Sequence, residues 1–187
     1  MKKDNKKEVV KNYLKGEILV VIDAANLENS VKAMDWWIDY IKLKNLFQKN
    51  LVEIRYYCVS YNNMEQNKFF AFLKKQGYKL VTKPVKIIKA PERDTGSLRK
   101  ANFDVEITYD VVEKINEFDT LVLFSGDSDF EYLIKKIKGK GKRVIVISSK
   151  HHISKELIRH SYKYIDLKKL KESIERKKES PPFSAGS

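Results

Sequence analysis

Two aspartates in this chain stand just behind short apolar runs: Asp23 after ILVVI, and Asp127 after LVLF and a Ser125-Gly126 pair. Such positions lie at the carboxyl ends of buried strands, and in an open parallel sheet that edge is where ligands bind. If the two strands are neighbours, the carboxylates converge on one crevice. Neither motif contains a basic partner, so the pair suits a hard divalent cation, Mg²⁺ or Mn²⁺, bound through oxygen. A plainer role is open to each residue. An aspartate behind a strand is often the N-cap of the next helix, and Asp129 before Phe130-Glu131-Tyr132 has the same option. Two acidic strand ends in one small chain, with a third acid, favour the metal site.

The third acid is Asp104, early in the helix expected before the fourth strand. At ~100° per residue Asp104, Thr108 and Val111 share one face, while Asp110 points away. An acid in a first helical turn is also favoured by the helix dipole. Asp110 and Glu106 read as surface charges or ion-pair partners. No nucleophilic triad competes: His151, His152 and His160 cluster late, and the His151-His152 pair reads as a loop feature. Cys58 within YYCVS reads as a small buried residue. A haloacid-dehalogenase-like site needs a second aspartate where Ala25 stands, and a Toprim-type site needs a glutamate where Asp23 stands.

The elements that must position these acids follow from the apolar pattern. ILVVI (18–22), LVLF (121–124) and VIVI (144–147) are continuous and rich in β-branched residues, as strands buried on both faces are. Residues 51–61 read as a second strand and 79–82 as a third. Helical spacing predicts a helix through Trp37 and Ile41 ending near Gln48, a second over 64–76 closed by Gly77, a third over 105–115, and a fourth over 130–137 closed near Gly139. The segment 91–98 (PERDTGSL) carries the turn formers of a loop. A short helix (SKELIRH), a strand-like YKYIDL and a basic helix close the chain. Alternation of strand and helix implies an α/β fold with helices on both faces of a mostly parallel sheet, order 3-2-1-4-5. The expected organisation is a basic N-terminal extension (1–15), one domain (16–167), a basic C-terminal helix (168–180) and a disordered tail (181–187).

Composition sets limits. The chain has 187 residues, enough for one α/β domain. The apolar runs are strand-sized, short of the ~20 residues a membrane span needs. With no apolar stretch behind its basic start and a single cysteine, the expected location is the cytoplasm. Net charge is +13, from 38 basic and 25 acidic side chains, which favours a polyanion partner. Basic residues concentrate in Lys135–Arg143 (KKIKGKGKR) and between Lys83 and Lys100. Lys100, Lys135, Lys138, Lys140, Lys142 and Arg143 are accordingly candidates for contacts with the phosphates of a nucleic acid. Aromatics such as Tyr56, Tyr57, Phe69 and Phe70 read as core, and an exposed Trp36 or Trp37 could stack on a base.

VVIDAANL, KANFDVEITYD and LVLFSGDSDFEYLI, in this order and spacing, resemble the three signature blocks of the NYN domain, the LabA-like proteins of the PIN-like nuclease group. ISKELIRHSYKYIDL is similar to that family's closing segment, although Ser161-Tyr162 stands where relatives commonly carry Ala-Asp. The resemblance implies a PIN-like three-layer α/β/α sandwich and Mg²⁺- or Mn²⁺-dependent hydrolysis of RNA. By position it matches Asp23, Asp104 and Asp127 to the family's acidic residues, with Asn26 and Asp129 beside them. Ser125 and Thr108 would support them. Relatives of this kind often pair, so a homodimer is also an expectation. The rival expectation is a basic RNA-binding or regulatory adaptor that keeps the fold without turnover.

Overall fold

The most continuous apolar run of the sequence, ILVVI, lies at the centre of the molecule. In the computed structural model, which describes residues 8–61, 63–85, 87–88, 98–99 and 102–177, it forms the buried part of β1 (Ile18–Asp23). β2 (Leu51–Ser60) and β3 (Lys79–Pro84) follow, then a two-stranded antiparallel ribbon of β4 (Ile87–Ile88) and β5 (Leu98–Arg99). β6 (Thr120–Phe124), β7 (Arg143–Ser148) and β8 (Lys163–Asp166) complete the set. The main sheet is six-stranded and parallel throughout, in the order β3-β2-β1-β6-β7-β8. Counted without the ribbon, this is the expected 3-2-1-4-5 with one more strand, YKYIDL, added at the edge. The winding reverses between β1 and β6, which opens a crevice at their carboxyl ends.

Helices cover both faces. α1 (Glu8–Lys11) precedes β1, and α2 (Ala24–Ala33) and α3 (Tyr40–Asn45) link β1 to β2. α4 (Met64–Lys75) leads to β3, α5 (Asp104–Glu113) to β6, α6 (Glu131–Gly139) to β7 and α7 (Lys155–His160) to β8; α8 (Lys171–Ile174) comes last. Because side chains alternate across a strand, Val20, Ile22, Tyr56 and Phe124 pack into one layer with Leu27, Leu43 and Leu73. Leu19, Val21, Tyr57 and Leu123 pack into the other with Ile107, Val111, Leu133 and Leu157. The same alternation turns Asp23 and Ser125 toward the second layer, the one that α5 belongs to.

α5 is fixed to the sheet by a buried polar clamp. Arg55, 3% exposed, forms ion pairs with Glu53 and Asp110, and the Tyr57 hydroxyl donates to Asp110 at 2.8 Å. Burial works against the guanidinium charge, but the hydrogen bonds to Glu53 and Asp110 hold it firmly protonated. The Tyr57 ring meets Phe103, the residue before Asp104, edge-on at 6.0 Å between centroids. Asp110 is thus the ion-pair partner the sequence suggests, and Glu106 is another, paired with Lys83.

Two expectations change. The helix expected through Trp37 begins only at Tyr40, where Asp39 caps α3 from its side chain, and Asp35, at a left-handed φ of 54°, separates it from α2. That break sends Trp36 into the core and leaves Trp37 47% exposed. Within the expected N-terminal extension, Val10 is buried and Tyr13 and Leu14 pack against the same core. The C-terminal basic helix shortens to a 3-10 turn, Leu167–Leu170, and α8, with Leu170 and Ile174 buried. By contrast Gly77 sits behind α4 at φ 82°, the left-handed residue that ends the helix. Residues 91–97 of the expected loop, Lys100 and the tail 181–187 lie outside the described residues. Among the described residues no helix is long and apolar enough to cross a membrane.

Candidate acidic site and its cleft

Asp23 ends β1 and caps α2, so the plain role and the chemical one fall on the same residue. Its Oδ1 accepts the Asn26 N–H at 3.3 Å, and its Oδ2 accepts the Asn26 amide at 2.9 Å and the Ser125 hydroxyl at 3.2 Å. The other end of the Asn26 amide, Oδ1, accepts the Gly126 N–H at 3.1 Å. One side chain therefore ties the ends of β1 and β6 together and fixes its own orientation. Ser125 Oγ in turn accepts the Asp127 N–H at 3.3 Å. Asp127 caps the 3-10 turn Ser128–Phe130, its Oδ1 accepting the Asp129 N–H at 3.0 Å. These bonds use one Asp127 oxygen, and Oδ2 has no partner among the described residues.

Asp104 comes to this edge because α5 lies on the face that Asp23 points to. It opens the helix, with Oδ2 accepting the Asn102 amide at 2.7 Å. Burial raises its pKa above the usual carboxylate range, and the charges of Asp127, Asp129, Asp23 and Glu106 raise it further. Asp23 is also raised, chiefly by burial, against the pull of its hydrogen bonds from Asn26 and Ser125, with Asp127 adding repulsion. The structure thus gathers Asp23, Asp104, Asp127 and Asp129 in one electrostatic neighbourhood. Thr108, one turn beyond Asp104, is half-buried and makes no side-chain hydrogen bond to the cluster among the described residues.

A cation would relieve this mutual repulsion, and the donors are hard carboxylate oxygens. Among the described residues, however, no three His, Cys, Asp or Glu side chains converge closely enough to bind one ion directly. The set fits Mg²⁺ or Mn²⁺ held by one or two carboxylates with water filling the remaining positions, the usual habit of Mg²⁺. It does not fit an all-protein cage.

Beside the acids lies a cleft of about 430 Å³ lined by Asn26, Asn29, Gly126, Asp127, Ser128 and His152, among others. Its far wall is the loop between β7 and α7, which returns over the strand ends: the Ser154 N–H donates to Gly126 O at 3.0 Å. His152 Nδ1 lies 2.8 Å from Ser149 Oγ and 3.1 Å from Ser30 Oγ. The sequence marked His152 only as part of a loop pair; the signal that could have raised it is its place behind a strand neighbouring β6. Gly126 is required by this closure, since a Cβ there would sit 2.1 Å from the His152 carbonyl oxygen and 2.7 Å from Ser148 Oγ. Gly126→Ala is expected to push the loop away, lowering stability by about 1–3 kcal/mol. A urea-unfolding midpoint equal to wild type would show that the loop yields freely.

The basic segment does not join the acids. Arg143 begins β7 and its N–H donates to Asp119 O at 2.9 Å, while Lys142 lies 3.8 Å from the Asp119 carboxylate. Asp119 precedes β6, so Lys138, Lys140, Lys142 and Arg143 belong to the amino edge of the sheet. That edge is about 20 Å from the acidic one, at ~3.3 Å per strand residue. Lys138 donates to His160 O at 2.7 Å, Arg143 stacks on Tyr162 at 4.6 Å, and Lys135 pairs with Glu131 at 2.6 Å along α6. Lys150 and Lys155 flank the cleft residues His152 and Ser154 in the chain, and Lys83, paired with Glu106, reaches Asn102 O at 3.1 Å. Cys58 is buried as expected, its thiol pushed up to about 12 by burial and by the Glu28 charge.

Comparison with known proteins accords with this geometry. The chain is 29% identical to the low amplitude and bright protein LabA of Synechococcus elongatus over 170 residues, 89% of this chain and 91% of that one. A crystal structure of a Vibrio parahaemolyticus protein of unknown function superposes with a TM-score of 0.68 at 25% identity, covering 82% of this chain and 93% of that chain. The family model of the NYN domain matches residues 17–171, from just before β1 to the start of α8. That span holds every acid of the site and the whole six-stranded sheet, and the chain belongs to the NYN domain family.

Proposed function

We propose that the chain is a metal-dependent ribonuclease that hydrolyses RNA phosphodiesters at the crevice between β1 and β6. The observation that carries this reading is convergence. Asp23, Asp104 and Asp127 come from three distant stretches of the chain, yet Asp104 feels the charges of Asp23 and Asp127, and Asp23 that of Asp127, at one strand edge. A fold gains nothing from crowding like charges unless a cation joins them. Membership of a PIN-like nuclease family supports the same chemistry.

A bound Mg²⁺ or Mn²⁺ would supply an activated water and shield the charge that gathers on the phosphate. Asp23 and Asp127 would hold it, with Asp104 acting through water. Asn26 and Ser125 keep Asp23 turned to the crevice by hydrogen bonds, and the Asp129 N–H occupies one Asp127 oxygen so that the other is left for a ligand. Asp129's own carboxylate would orient water at the rim. The test is incubation with mixed single-stranded RNA and DNA oligomers in Mn²⁺, Mg²⁺ or EDTA. Cleavage of RNA in either metal, abolished by EDTA, is the expected result. RNA binding with no cleavage in any condition would overturn it in favour of an adaptor that retains the fold.

The placement of the cations gives a second expectation. Lys150→Glu with Lys155→Glu should weaken binding of a short RNA about tenfold and reduce the salt dependence of its affinity. Lys140→Glu with Lys142→Glu, at the opposite edge, should leave that affinity within about twofold, because charges about 20 Å away are largely screened. Affinities read by fluorescence anisotropy at two salt concentrations decide it; equal losses for both pairs would contradict the assignment.

A further inference from the structure

We propose that His152 is a substrate-positioning residue, donating a hydrogen bond from Nε2 to a phosphate oxygen of RNA held in the cleft. The assignment rests on the nuclease reading for its substrate but on separate observations for its residue. His152 lines the cleft together with Asn26, Asp127 and Ser128 and is exposed to it, although it stands on a loop between β7 and α7. Its Nδ1 faces two hydroxyls, Ser149 Oγ at 2.8 Å and Ser30 Oγ at 3.1 Å, and both serines are almost fully buried. Either atom can donate in these two contacts; we assign both hydroxyls as donors to Nδ1, which leaves the proton on Nε2.

The ring is held from below and presents a donor above. Ser30 comes from α2 and Ser149 follows β7, so two separate elements hold the imidazole. Its backbone is held as well: the His152 N–H donates to Ser149 O at 3.1 Å, and its carbonyl oxygen packs where a Gly126 side chain would stand. A loop histidine that served only solubility would need none of this. A fixed N–H in a cleft that Asp127 also lines, with the other acids beside it, suits an anionic substrate lying between them, with the scissile phosphate toward the acids. Asn29 and Ser128 also line the cleft and could add donors beside it. Asn26 spends its amide on Asp23, and Asp127 contributes only negative charge.

The decisive measurement is the affinity of a short fluorescein-labelled single-stranded RNA in EDTA, where no cleavage occurs. It compares wild type with His152→Ala, His152→Gln and the double variant Ser30→Ala/Ser149→Ala. His152→Ala should weaken binding about tenfold, the size of one lost hydrogen bond to a charged group. His152→Gln, which retains an N–H donor, should recover most of the loss, and the double serine variant should fall between. In metal, the same His152→Ala loss should appear in KM, with kcat within about threefold of wild type. Unchanged affinity for His152→Ala, or a glutamine variant as weak as alanine, overturns the assignment. Because affinity is read without turnover, it decides the role of His152 whether or not the wild type cleaves. Failure of the nuclease reading would show separately, as absence of cleavage in Mn²⁺ and Mg²⁺.

Discussion

Asp23→Asn and Asp127→Asn should each lower metal-dependent RNA cleavage by about 10³-fold, on the order of 4 kcal/mol of transition-state stabilisation, while leaving the fold as stable as wild type or more so. The two halves of this expectation come from the same carboxylates. Asp23 is raised in pKa chiefly by burial, with Asp127 adding repulsion, so the Asp23 charge is held where folding alone would not place it. Neutralising either removes a desolvation or repulsion cost. Asparagine still caps the start of a helix, so the ends of α2 and of the 3-10 turn survive the change. What asparagine cannot do is supply anionic oxygen to a divalent ion. A variant that loses activity and gains stability marks a residue kept for function. Rates under single-turnover conditions and thermal midpoints of the same preparations provide the check; equal cleavage by wild type and both variants would remove these residues from the mechanism.

Arg55→Ala should produce the largest loss of stability of any substitution described above, about 3–5 kcal/mol, the cost of breaking a buried ion pair by removing one partner. Arg55 is nearly inaccessible, and its loss leaves Glu53 and Asp110 facing each other across a site closed to water on most sides. Lys79 and Lys114 reach Glu53 at 3.6 and 4.0 Å and temper the cost on that side; Asp110 keeps only the Tyr57 hydroxyl. The consequence extends to the site, because this clamp seats α5 and with it Asp104. Asp110→Asn is the milder companion, retaining the hydrogen bond from Tyr57, and should cost about 1–2 kcal/mol. Urea unfolding of the two variants gives the ordering. Arg55→Ala within about 1 kcal/mol of wild type would mean that apolar packing alone holds α5.

How far the sequence shows this architecture can be traced residue by residue. The strands that cross the centre announce themselves, because burial on both faces demands continuous apolar runs, and ILVVI, LVLF and VIVI have no other use. Asp23 and Asp127 follow from those runs directly. Asp104 needed the family resemblance, since its place depends on which face of the sheet α5 covers, and that is decided by the Arg55–Asp110 clamp and by Phe103 against Tyr57, contacts between residues some 50 positions apart. α2 is faint in the sequence because AANLENSVKA carries few strongly apolar side chains, so its start is signalled chiefly by the capping option of Asp23. The lysines of KKIKGKGKR, expected to contact nucleic-acid phosphates, stand away from the acids for a topological reason. α6 begins at the acidic edge and runs back to the other, so its basic end is carried away from the cleft. His152 was passed over because a histidine pair in a loop has no periodicity, and only the folded chain brings Ser30 beneath it.

Direct binding of Mn²⁺, followed by electron paramagnetic resonance of the free ion, tests the central claim without reference to any substrate or contaminating nuclease. The wild-type chain should take up Mn²⁺, and Asp23→Asn and Asp127→Asn should each weaken that uptake at least about tenfold, with Lys140→Glu/Lys142→Glu as a control that leaves it unchanged. Equal Mn²⁺ uptake by wild type and both aspartate variants would show that these carboxylates do not form the metal site.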